Sequence, residues 1–312
     1  MIAIITNRTD LTSDLGILAF QRHKLPYVRI NTEDAVPVIE LDGNVRIGIQ
    51  QQDRFVDLKT LTSVWFRRPR YTPTDVTIRD DHKAFIIEET RFAWNNIYRL
   101  LDAPLWVNHP EDNLRAANRL WVLDQARRVG LRTPATLVTR SAKAARNFVL
   151  QNGPTVAKSI GPGYRDDKRG LASFTTVFSH PNNIPASLGP APVLFQSFIP
   201  KAFDWRVTVM GQKIYSVRLD SQQVAGAEID WRQAKEPVPM EHLALPQAIE
   251  SSILELLKNL RLKFAAIDLV EDSRGQLSFL EVNANGQWGW IEQEAGIPLS
   301  DGLAQLMKQA NH

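Results

Sequence analysis

The chain has 312 residues, a formal net charge of +3 and a hydrophobic content of 44%. This length and apolar content are enough for two or three packed domains. Cysteine is absent from the sequence, which excludes a disulfide framework, a thiolate metal site and a cysteine nucleophile. The small basic excess contains no long Lys/Arg run, so it permits an acidic ligand such as a nucleotide or an acidic peptide without requiring one.

The sequence also predicts the cellular location of the protein. The chain opens with MIAIITNRTD, which lacks the charged and then apolar pattern of a secretion signal. Its apolar runs are all shorter than the roughly 18 to 20 residues that span a bilayer. We therefore expect a cytoplasmic protein. Neither a membrane nor a nucleic acid is expected as a partner, and the sequence leaves a homodimer open.

The first part of the chain reads as an α/β unit. β-Branched runs predict strands over residues 2–6, 27–31 and 63–66. The pair Asp42 and Gly43 predicts a hairpin, because this dipeptide favours the tight turns that join antiparallel strands. A helix is predicted from about Asp80 to Leu101. The unit is expected to end near His109.

Two further units follow. The second begins with one long predicted helix over residues 115–130, stopped by Gly130. It continues with a strand, a helix and a strand over residues 136–139, 141–151 and 155–160. The third unit contains two predicted hairpins, which pair residues 205–210 with 213–219 and residues 264–270 with 276–283. Helices are predicted around residues 253–260 and 299–309.

The stretch FLEVNANG, residues 279–286, places oxygen-bearing side chains at every second position. The two-residue period of a strand puts Leu280 and Val282 on the core face. Phe279, Glu281 and Asn283 are then expected together on the other face. Two oxygen ligands would therefore converge on one side of the strand.

Asp268 is a lone carboxylate in a neighbouring strand that is otherwise wholly apolar. Burying Asp268 and Glu281 unpaired would be costly, so a cation is expected between them. Oxygen ligands without cysteine or histidine favour Mg²⁺, with Mn²⁺ as a substitute. The alternative is that both carboxylates pair with Arg or Lys in a structural network.

A metal held by few carboxylates usually has phosphates as its other ligands, so phosphate-binding groups are expected elsewhere. Lys158 ends a predicted strand just before the loop GPGYRDDKRG, residues 161–170, whose glycines let backbone amides approach an anion. The alternative for Lys158 is a solvated residue on an edge strand. Neither G-x-x-x-x-G-K-[ST] nor a strand followed by G-x-G-x-x-G occurs, which disfavours P-loop and Rossmann chemistry.

Asp204 and Arg206 alternate with apolar residues in FDWRVTVMG, so both are expected on one face of their strand. An arginine there could bind a phosphate or acyl-phosphate with two parallel hydrogen bonds. The alternative is a neighbouring Asp–Arg pair on a solvated face.

The order of these features resembles that of the ATP-grasp ligases over residues 110–312. Other segments extend the resemblance to the whole chain and to the microviridin-type maturases, the peptide macrocyclases that make graspetides. These segments are WFRRP (65–69), RTPATLVT (132–139), FQSFIPKAFDWRVTV (195–209), DSQ (220–222), DWR (230–232) and NGQWGWIEQEAGIPL (285–299).

The resemblance implies an α/β (α+β) protein with the ATP-grasp fold. An N-terminal α/β domain would cover residues 1–110. A central domain with a Gly-rich lid at residues 161–170 would cover residues 111–195. A C-terminal domain with an antiparallel sheet and the Mg²⁺ site would cover residues 196–312, and ATP would lie between the last two.

The resemblance also implies roles for single residues. Lys158 would hold the ATP phosphates and Arg206 would stabilise the transferring phosphoryl group, with Asp204 orienting Arg206. Arg119 stands where such ligases usually have lysine; it keeps the charge, and its alternative is a solvated helix residue. The adenine edge would be read by the backbone of Gln196, Ser197, Phe198 and Ile199. Mg²⁺ would be bound by Asp268, Glu281 and Asn283.

The implied activity is the ATP-dependent closure of side-chain rings in a ribosomally made precursor peptide recognised through a leader segment. An Asp or Glu side chain would become an acyl-phosphate, and a hydroxyl or amine of the same peptide would form an ester or amide. The alternatives are an intermolecular ligase that adds glutamate and a non-catalytic, ATP-dependent peptide-binding module. Two points stay open: whether Trp288 or Trp290 packs or lines the peptide channel, and whether Arg67 and Arg68 contact phosphate, substrate or solvent.

Overall fold

A computed structural model describes residues 1–51, 54–74, 77–161, 165–166, 171–172 and 176–309. The predicted lid, residues 161–170, falls mostly outside these described residues. In the described part of the chain, none of the helices combines the length and the apolar character that a membrane crossing requires.

The N-terminal unit contains two small sheets. Its elements are β1 (Ile2–Thr6), α1 (Leu11–Arg22), β2 (Tyr27–Asn31), β3 (Val36–Asp42), β4 (Asn44–Gln51), β5 (Arg54–Asp57), β6 (Ser63–Phe66), α2 (Asp80–Leu100) and β7 (Leu105–Val107). Parallel strands form the sheet β2-β1-β6-β7, and antiparallel strands form β3-β4-β5. The predicted hairpin is confirmed, and Gly43 supplies its positive φ of 67°.

Helix α1 was not predicted from the sequence. It packs against Trp65 of β6 so closely that a Cβ at Gly16 would lie 2.4 Å from the indole ring. Tertiary packing therefore outweighs the poor helix propensity of this glycine.

The middle of the chain forms a second antiparallel sheet with helices. Its elements are α3 (Pro110–Ala116), α4 (Arg119–Arg128), β8 (Thr136–Thr139), α5 (Ala142–Asn152), β9 (Thr155–Lys158), β10 (Arg165–Asp166), β11 (Leu171–Ala172), β12 (Thr176–Phe178) and β13 (Val193–Ser197). The main sheet has the order β12-β9-β13-β8. Strand β9, which carries Lys158, is thus an interior strand and not an edge.

The prediction of a single helix over residues 115–130 is wrong, because the helix is interrupted at Ala117 and Asn118, between α3 and α4. Asn118 turns its side-chain amide back onto the carbonyls of Leu114 and Arg115 at 3.0 and 3.2 Å, which satisfies the end of α3. Its ψ of 79° then starts α4 in a new direction. This local capping by asparagine competes with helix continuation.

The C-terminal unit is built on a five-stranded antiparallel sheet of order β16-β15-β14-β17-β18. Its elements are β14 (Lys201–Met210), β15 (Lys213–Leu219), β16 (Met240–His242), α6 (Gln247–Leu260), β17 (Phe264–Asp272), β18 (Leu277–Asn283), α7 (Gly289–Ala295) and α8 (Leu299–Lys308). Both predicted hairpins, β14–β15 and β17–β18, are confirmed. Helices α4 and α6 pack on one face of this sheet and share its core.

The predicted faces of β18 are partly wrong. Phe279 is buried in the same core as Val282, whereas Leu280 lies in a cavity wall beside Glu281. The cause is a β-bulge: Glu281 pairs with Asp268, but Leu269 pairs with Phe279, so Leu280 is the extra residue. Before Leu280, the bulge places the side chains on the opposite faces of the sheet from those predicted. After it, Glu281 stays on its predicted face.

The N-terminal and C-terminal units are held together. Buried residues of β1, α1 and β6 share one hydrophobic core with residues of β14, α7 and α8. Asn108, just after β7, adds four hydrogen bonds to the C-terminal backbone. Its amide nitrogen donates to the carbonyls of Phe264 and Ala284, both at 2.9 Å. Its oxygen accepts from the amides of Lys263 and Phe264 at 2.8 and 3.0 Å.

Candidate active site

A cavity with a volume of about 310 Å³ opens between the middle sheet and the C-terminal sheet. We call it the first cavity. Nine of the predicted site residues line it, although they come from seven separate strands, helices and loops of the chain. These residues are Arg119, Lys158, Gln196, Ser197, Phe198, Ile199, Asp204, Asp268 and Glu281.

The end of β13 and the residues after it form one wall of the first cavity. The amides of Ser197 and Phe198 already donate to the carbonyls of Ala135 and Pro154, at 2.9 and 2.8 Å. Two of the four predicted backbone donors are therefore used by the protein itself. The amide of Ile199 has no hydrogen-bond acceptor among the described residues. It is therefore available to donate to a ligand.

Lys158 ends β9 at the first cavity. Burial, together with the positive charge of Arg119, lowers the pKa of Lys158 to about 8. Because β9 lies between β12 and β13, the alternative of a solvated edge lysine does not hold. An anion in the cavity would raise the pKa of Lys158 again.

Arg119 begins α4 and spans two units of the fold. One guanidinium nitrogen donates to the carbonyl of Ser159 and the other to the carboxylate of Glu281, both at 3.0 Å. The side chain is 22% exposed, so Arg119 is not a solvated helix residue. A lysine could not make both contacts with the same fixed geometry.

Asp268 and Glu281 are directly opposite each other on β17 and β18. Asp268 accepts a hydrogen bond from Arg206 at 2.7 Å and another from Arg232. Glu281 lies 3.4 Å from the same nitrogen of Arg232 and accepts from the amide of Asn283 at 3.2 Å. Burial would raise the pKa of Asp268, but the charges of Arg206 and Arg232 outweigh it and lower that pKa. The predicted alternative, pairing with arginine, is thus part of this structure.

The donors around this pair fit a hard divalent cation. The facing carboxylates of Asp268 and Glu281 already share one positive group, the guanidinium of Arg232, and the side-chain amide of Asn283 donates to Glu281. Within the described residues no cluster of three or more His, Cys, Asp or Glu side chains occurs. Such a cation would therefore need further oxygens from a ligand, as Mg²⁺ does when it binds phosphates.

A second cavity adjoins the first. Glu281, Trp231 and Arg232 belong to the walls of both. Of the predicted site residues, Arg206 and Asn283 face the second cavity, together with Arg68. The two cavities therefore meet at the acidic pair, and the second one is rich in arginine.

Arg206 is held in place by groups other than the predicted one. It bonds Asp268 and donates to the carbonyl of Gln287 at 3.1 Å. Asp204 accepts instead from Lys201 at 2.6 Å and Ser221 at 2.5 Å. The expected orientation of Arg206 by Asp204 is therefore corrected. Burial raises the pKa of Asp204, and the charge of Lys201 opposes this shift.

The two tryptophans of the segment NGQWGWIEQEAGIPL, residues 285–299, have different environments. Trp288 is fully buried in the core shared by the N-terminal and C-terminal units. Trp290 lines the second cavity and packs against Trp231, with ring centroids 4.9 Å apart. Trp288 therefore packs in the core, and Trp290 lies at a cavity wall; its contact with a peptide stays a prediction.

The two N-terminal arginines also differ. Arg67 is buried and forms an ion pair with Asp10 at 3.1 Å, and it reaches the side chain of Gln287 at 3.1 Å. Burial lowers the pKa of Arg67, and the charge of Asp10 opposes this. Arg67 therefore links the N-terminal sheet to the segment that holds Arg206. Arg68 is exposed and faces the second cavity.

The chain was compared with proteins of known family or structure. Neither the protein-family models nor the curated proteins gave a match. Solved structures match over nearly the whole chain. The macrocyclase MdnC from Microcystis aeruginosa MRC, solved with the precursor peptide MdnA, is 26% identical with a TM-score of 0.86, and the match covers 99% of this chain and 100% of that one.

Two further structures agree. A RiPP-associated ATP-grasp ligase from Chryseobacterium gregarium, solved with ADP and a leader and core peptide, is 25% identical with a TM-score of 0.89, covering 99% of this chain and 96% of that one. The macrocyclase MdnB from Microcystis aeruginosa MRC has 22% identity, a TM-score of 0.79 and 98% coverage of both chains. The chain has the fold of the ATP-grasp peptide macrocyclases. The predicted resemblance and fold class are confirmed.

The sequence patterns did not indicate several residues at the site. Arg232 appeared only within the motif DWR, without a role, and Ser221 only within DSQ. Lys201 and Gln287 were likewise inside quoted motifs. Arg232 and Ser221 reach the site from the connection after β15, and Gln287 contributes a backbone carbonyl, so none of these leaves a periodic signal in the sequence. Lys201 begins β14 and binds Asp204 by its ammonium group.

Proposed function

We propose that this protein is an ATP-dependent ligase that closes side-chain macrocycles in a ribosomally made precursor peptide. The supporting observation is the meeting of the two cavities at Glu281 and Arg232. The first cavity offers Lys158 and the backbone amide of Ile199 to a nucleotide. The second offers Arg68 and Arg206 to a carboxylate. A phosphate donor and an acidic side chain can therefore be brought together at the acidic pair.

The first cavity would bind ATP. Lys158 would bind the phosphates through its ammonium group, and Arg119 is placed to neutralise their charge from the other side. The backbone amide of Ile199 would donate a hydrogen bond to the adenine edge. Asp268, Glu281 and Asn283 would hold Mg²⁺, which supplies charge neutralisation of the phosphates when bound.

The second cavity would bind the reacting part of the peptide. Arg68 and Arg206 would pair with the Asp or Glu side chain and aim it at the γ-phosphate. As phosphoryl transfer proceeds, Arg206 would stabilise the developing charge. The carboxylate oxygen forms a bond to phosphorus, ADP leaves, and an acyl-phosphate results.

Ring closure completes the reaction. A hydroxyl or amine of the same peptide attacks the acyl carbon, phosphate leaves with the bonding pair, and the nucleophile loses its proton. The packed indoles of Trp231 and Trp290 on the wall of the second cavity would help to exclude water, which would otherwise hydrolyse the acyl-phosphate.

The test is product mass. The full chain should be incubated with ATP, Mg²⁺ and a short peptide encoded beside its gene that carries an acidic segment and a Ser/Thr- or Lys-rich segment. We expect the peptide to lose one water for each ring and ADP to form in equal amount. A gain of one amino-acid residue would indicate the intermolecular ligase instead. Unchanged peptide with bound ATP would indicate the non-catalytic binding module.

A further inference from the structure

Arg232 occupies a position between the two facing carboxylates. One of its nitrogens hydrogen-bonds Asp268 and lies 3.4 Å from Glu281. Asp268 is 9% exposed and Glu281 is 22% exposed, whereas the side chain of Arg232 is 46% exposed. The arginine therefore reaches in from the surface, and the carboxylates belong to the interior.

The segment that carries Arg232 contacts the site through Trp231 and through the guanidinium of Arg232. It is a short 3-10 turn, Trp231–Gln233, in the long connection between β15 and β16. Its backbone is fixed locally, since Asp230 accepts from the amide of Arg232 at 3.1 Å. Trp231 anchors it by packing on Trp290. The guanidinium can thus leave the carboxylates while Trp231 stays in place.

Arg206 differs from Arg232 in each of these respects. It lies on the central strand β14, its side chain is 6% exposed, and Gly286 packs against it. Arg206 and Arg232 thus both neutralise Asp268: Arg206 from the interior of the sheet and Arg232 from a more exposed segment.

We propose that Arg232 is a built-in counter-ion of the metal site, which occupies the cation position while the nucleotide is absent and gives it up when metal and nucleotide enter together. The guanidinium then pairs with the incoming phosphates, because Arg232 lines both cavities. As a result, the empty enzyme binds divalent cations poorly and does not bind metal before nucleotide. This inference depends on the proposed function only for the assignment of Asp268 and Glu281 to the metal.

The experiment measures Mn²⁺ binding to the nucleotide-free full chain by electron paramagnetic resonance of the free ion. Arg232→Gln removes the competing charge and retains a polar side chain. We expect this variant to bind Mn²⁺ about tenfold to a hundredfold more tightly than the parent, the scale of one lost charge-assisted hydrogen bond. Arg232→Lys keeps the charge but loses the forked guanidinium group. Its Mn²⁺ affinity should lie between those of the parent and Arg232→Gln.

Arg128→Gln is the matched control, because Arg128 forms an exposed ion pair with Asp124 at 2.7 Å on the surface of α4. It should bind Mn²⁺ as the parent does. A second measurement follows thermal unfolding: added Mn²⁺ should raise the melting temperature of Arg232→Gln more than that of the parent. This comparison is made within each variant, so a lower starting stability of Arg232→Gln does not obscure it.

Two outcomes would overturn the proposal in different ways. If the parent binds Mn²⁺ tightly only with a non-hydrolysable ATP analogue, and Arg232→Gln gains nothing without it, the counter-ion role is wrong and the proposed function stands. If neither chain binds Mn²⁺ even with the analogue, the metal assignment of Asp268 and Glu281 fails as well.

Discussion

Arg119 at the start of α4 donates one hydrogen bond to the carbonyl of Ser159 and one to the carboxylate of Glu281. It thereby connects the strand end that carries Lys158 with the strand that carries the acidic pair, across the first cavity. Arg119→Lys should retain the charge but break one of the two contacts, since an ammonium group cannot span both acceptors. We expect ATP affinity to fall by about threefold to tenfold, the scale of one hydrogen bond to a charged group or less. Calorimetric titration with a non-hydrolysable ATP analogue would measure it, and an unchanged affinity would show that the bridge is dispensable.

ATP binding should depend on pH through Lys158, whose pKa is lowered to about 8. Below pH 8 the amine carries its proton and the affinity should be constant. As the pH rises above 8, binding must take up a proton, and the affinity should fall by up to about tenfold per pH unit. Titrations between pH 6.5 and 9.5, values chosen to bracket roughly the pKa range of a perturbed lysine, would show the bend. Lys158→Arg carries its charge throughout this range and should remove the bend; a bend that persists would place it in another group.

Turnover should depend on the charge of Glu281. Glu281→Gln keeps the size of the side chain and can still accept from Arg119 and Asn283, so the fold should persist. It removes one of two carboxylates from the cation site, and we expect ADP formation with peptide to fall by at least about a hundredfold. Glu241→Gln, at an exposed ion pair with Arg218, is the control and should retain the parent rate. Near-normal ADP formation by Glu281→Gln would refute the metal role.

Arg206 should act in the chemical step more than in binding. Arg206→Lys should change the dissociation constant of the ATP analogue little while slowing ring closure by about a hundredfold to a thousandfold, the usual effect of losing one preorganised donor. Single-turnover mass spectrometry with enzyme in excess would follow the loss of water directly. Arg218→Lys, on the neighbouring strand β15, tests for a general effect of the substitution on the sheet. Parent-like closure by Arg206→Lys would reduce Arg206 to a structural partner of Asp268.

Gly286 should be sensitive to any added atom. A Cβ there would lie 2.4 Å from the Cβ of Ala266 and 2.8 Å from a guanidinium nitrogen of Arg206. Gly286→Ala should therefore destabilise the fold by about 1 to 3 kcal/mol and displace Arg206, so that ring closure slows as well. Urea unfolding would measure the first effect. Gly161→Ala is the stability control, because an added methyl group there meets no atom of the described residues within 4 Å.

The strands of the C-terminal sheet could be predicted because their apolar residues alternate and their turns contain glycine. The same alternation placed Arg206 and Glu281 correctly. It failed at Leu280, because a bulge depends on how two strands pair and not on either sequence alone. It also could not find Arg232, whose position depends on a loop that returns to the site across the sheet. Helix α1 escaped prediction because its stability comes from packing against Trp65.

The hydrogen-bond partners of single side chains could not be predicted either. The sequence predicts that Asp204 and Arg206 share a face, and both do line the cavities. Which partner each side chain selects depends on side chains that are close only after folding: Lys201 and Ser221 for Asp204, and Asp268 and Gln287 for Arg206. Proximity could be predicted, but partner choice could not.

The four hydrogen bonds of Asn108 limit how this protein can be re-engineered. A chimera that keeps residues 111–312 and takes a different N-terminal region would leave backbone groups of Lys263, Phe264 and Ala284 without partners at the base of β17 and just after β18. These are the two strands that carry Asp268 and Glu281. A chimera with a new N-terminal region should therefore retain Asn108 and the segment around it. Without them, the strands that carry Asp268 and Glu281 should become less well ordered.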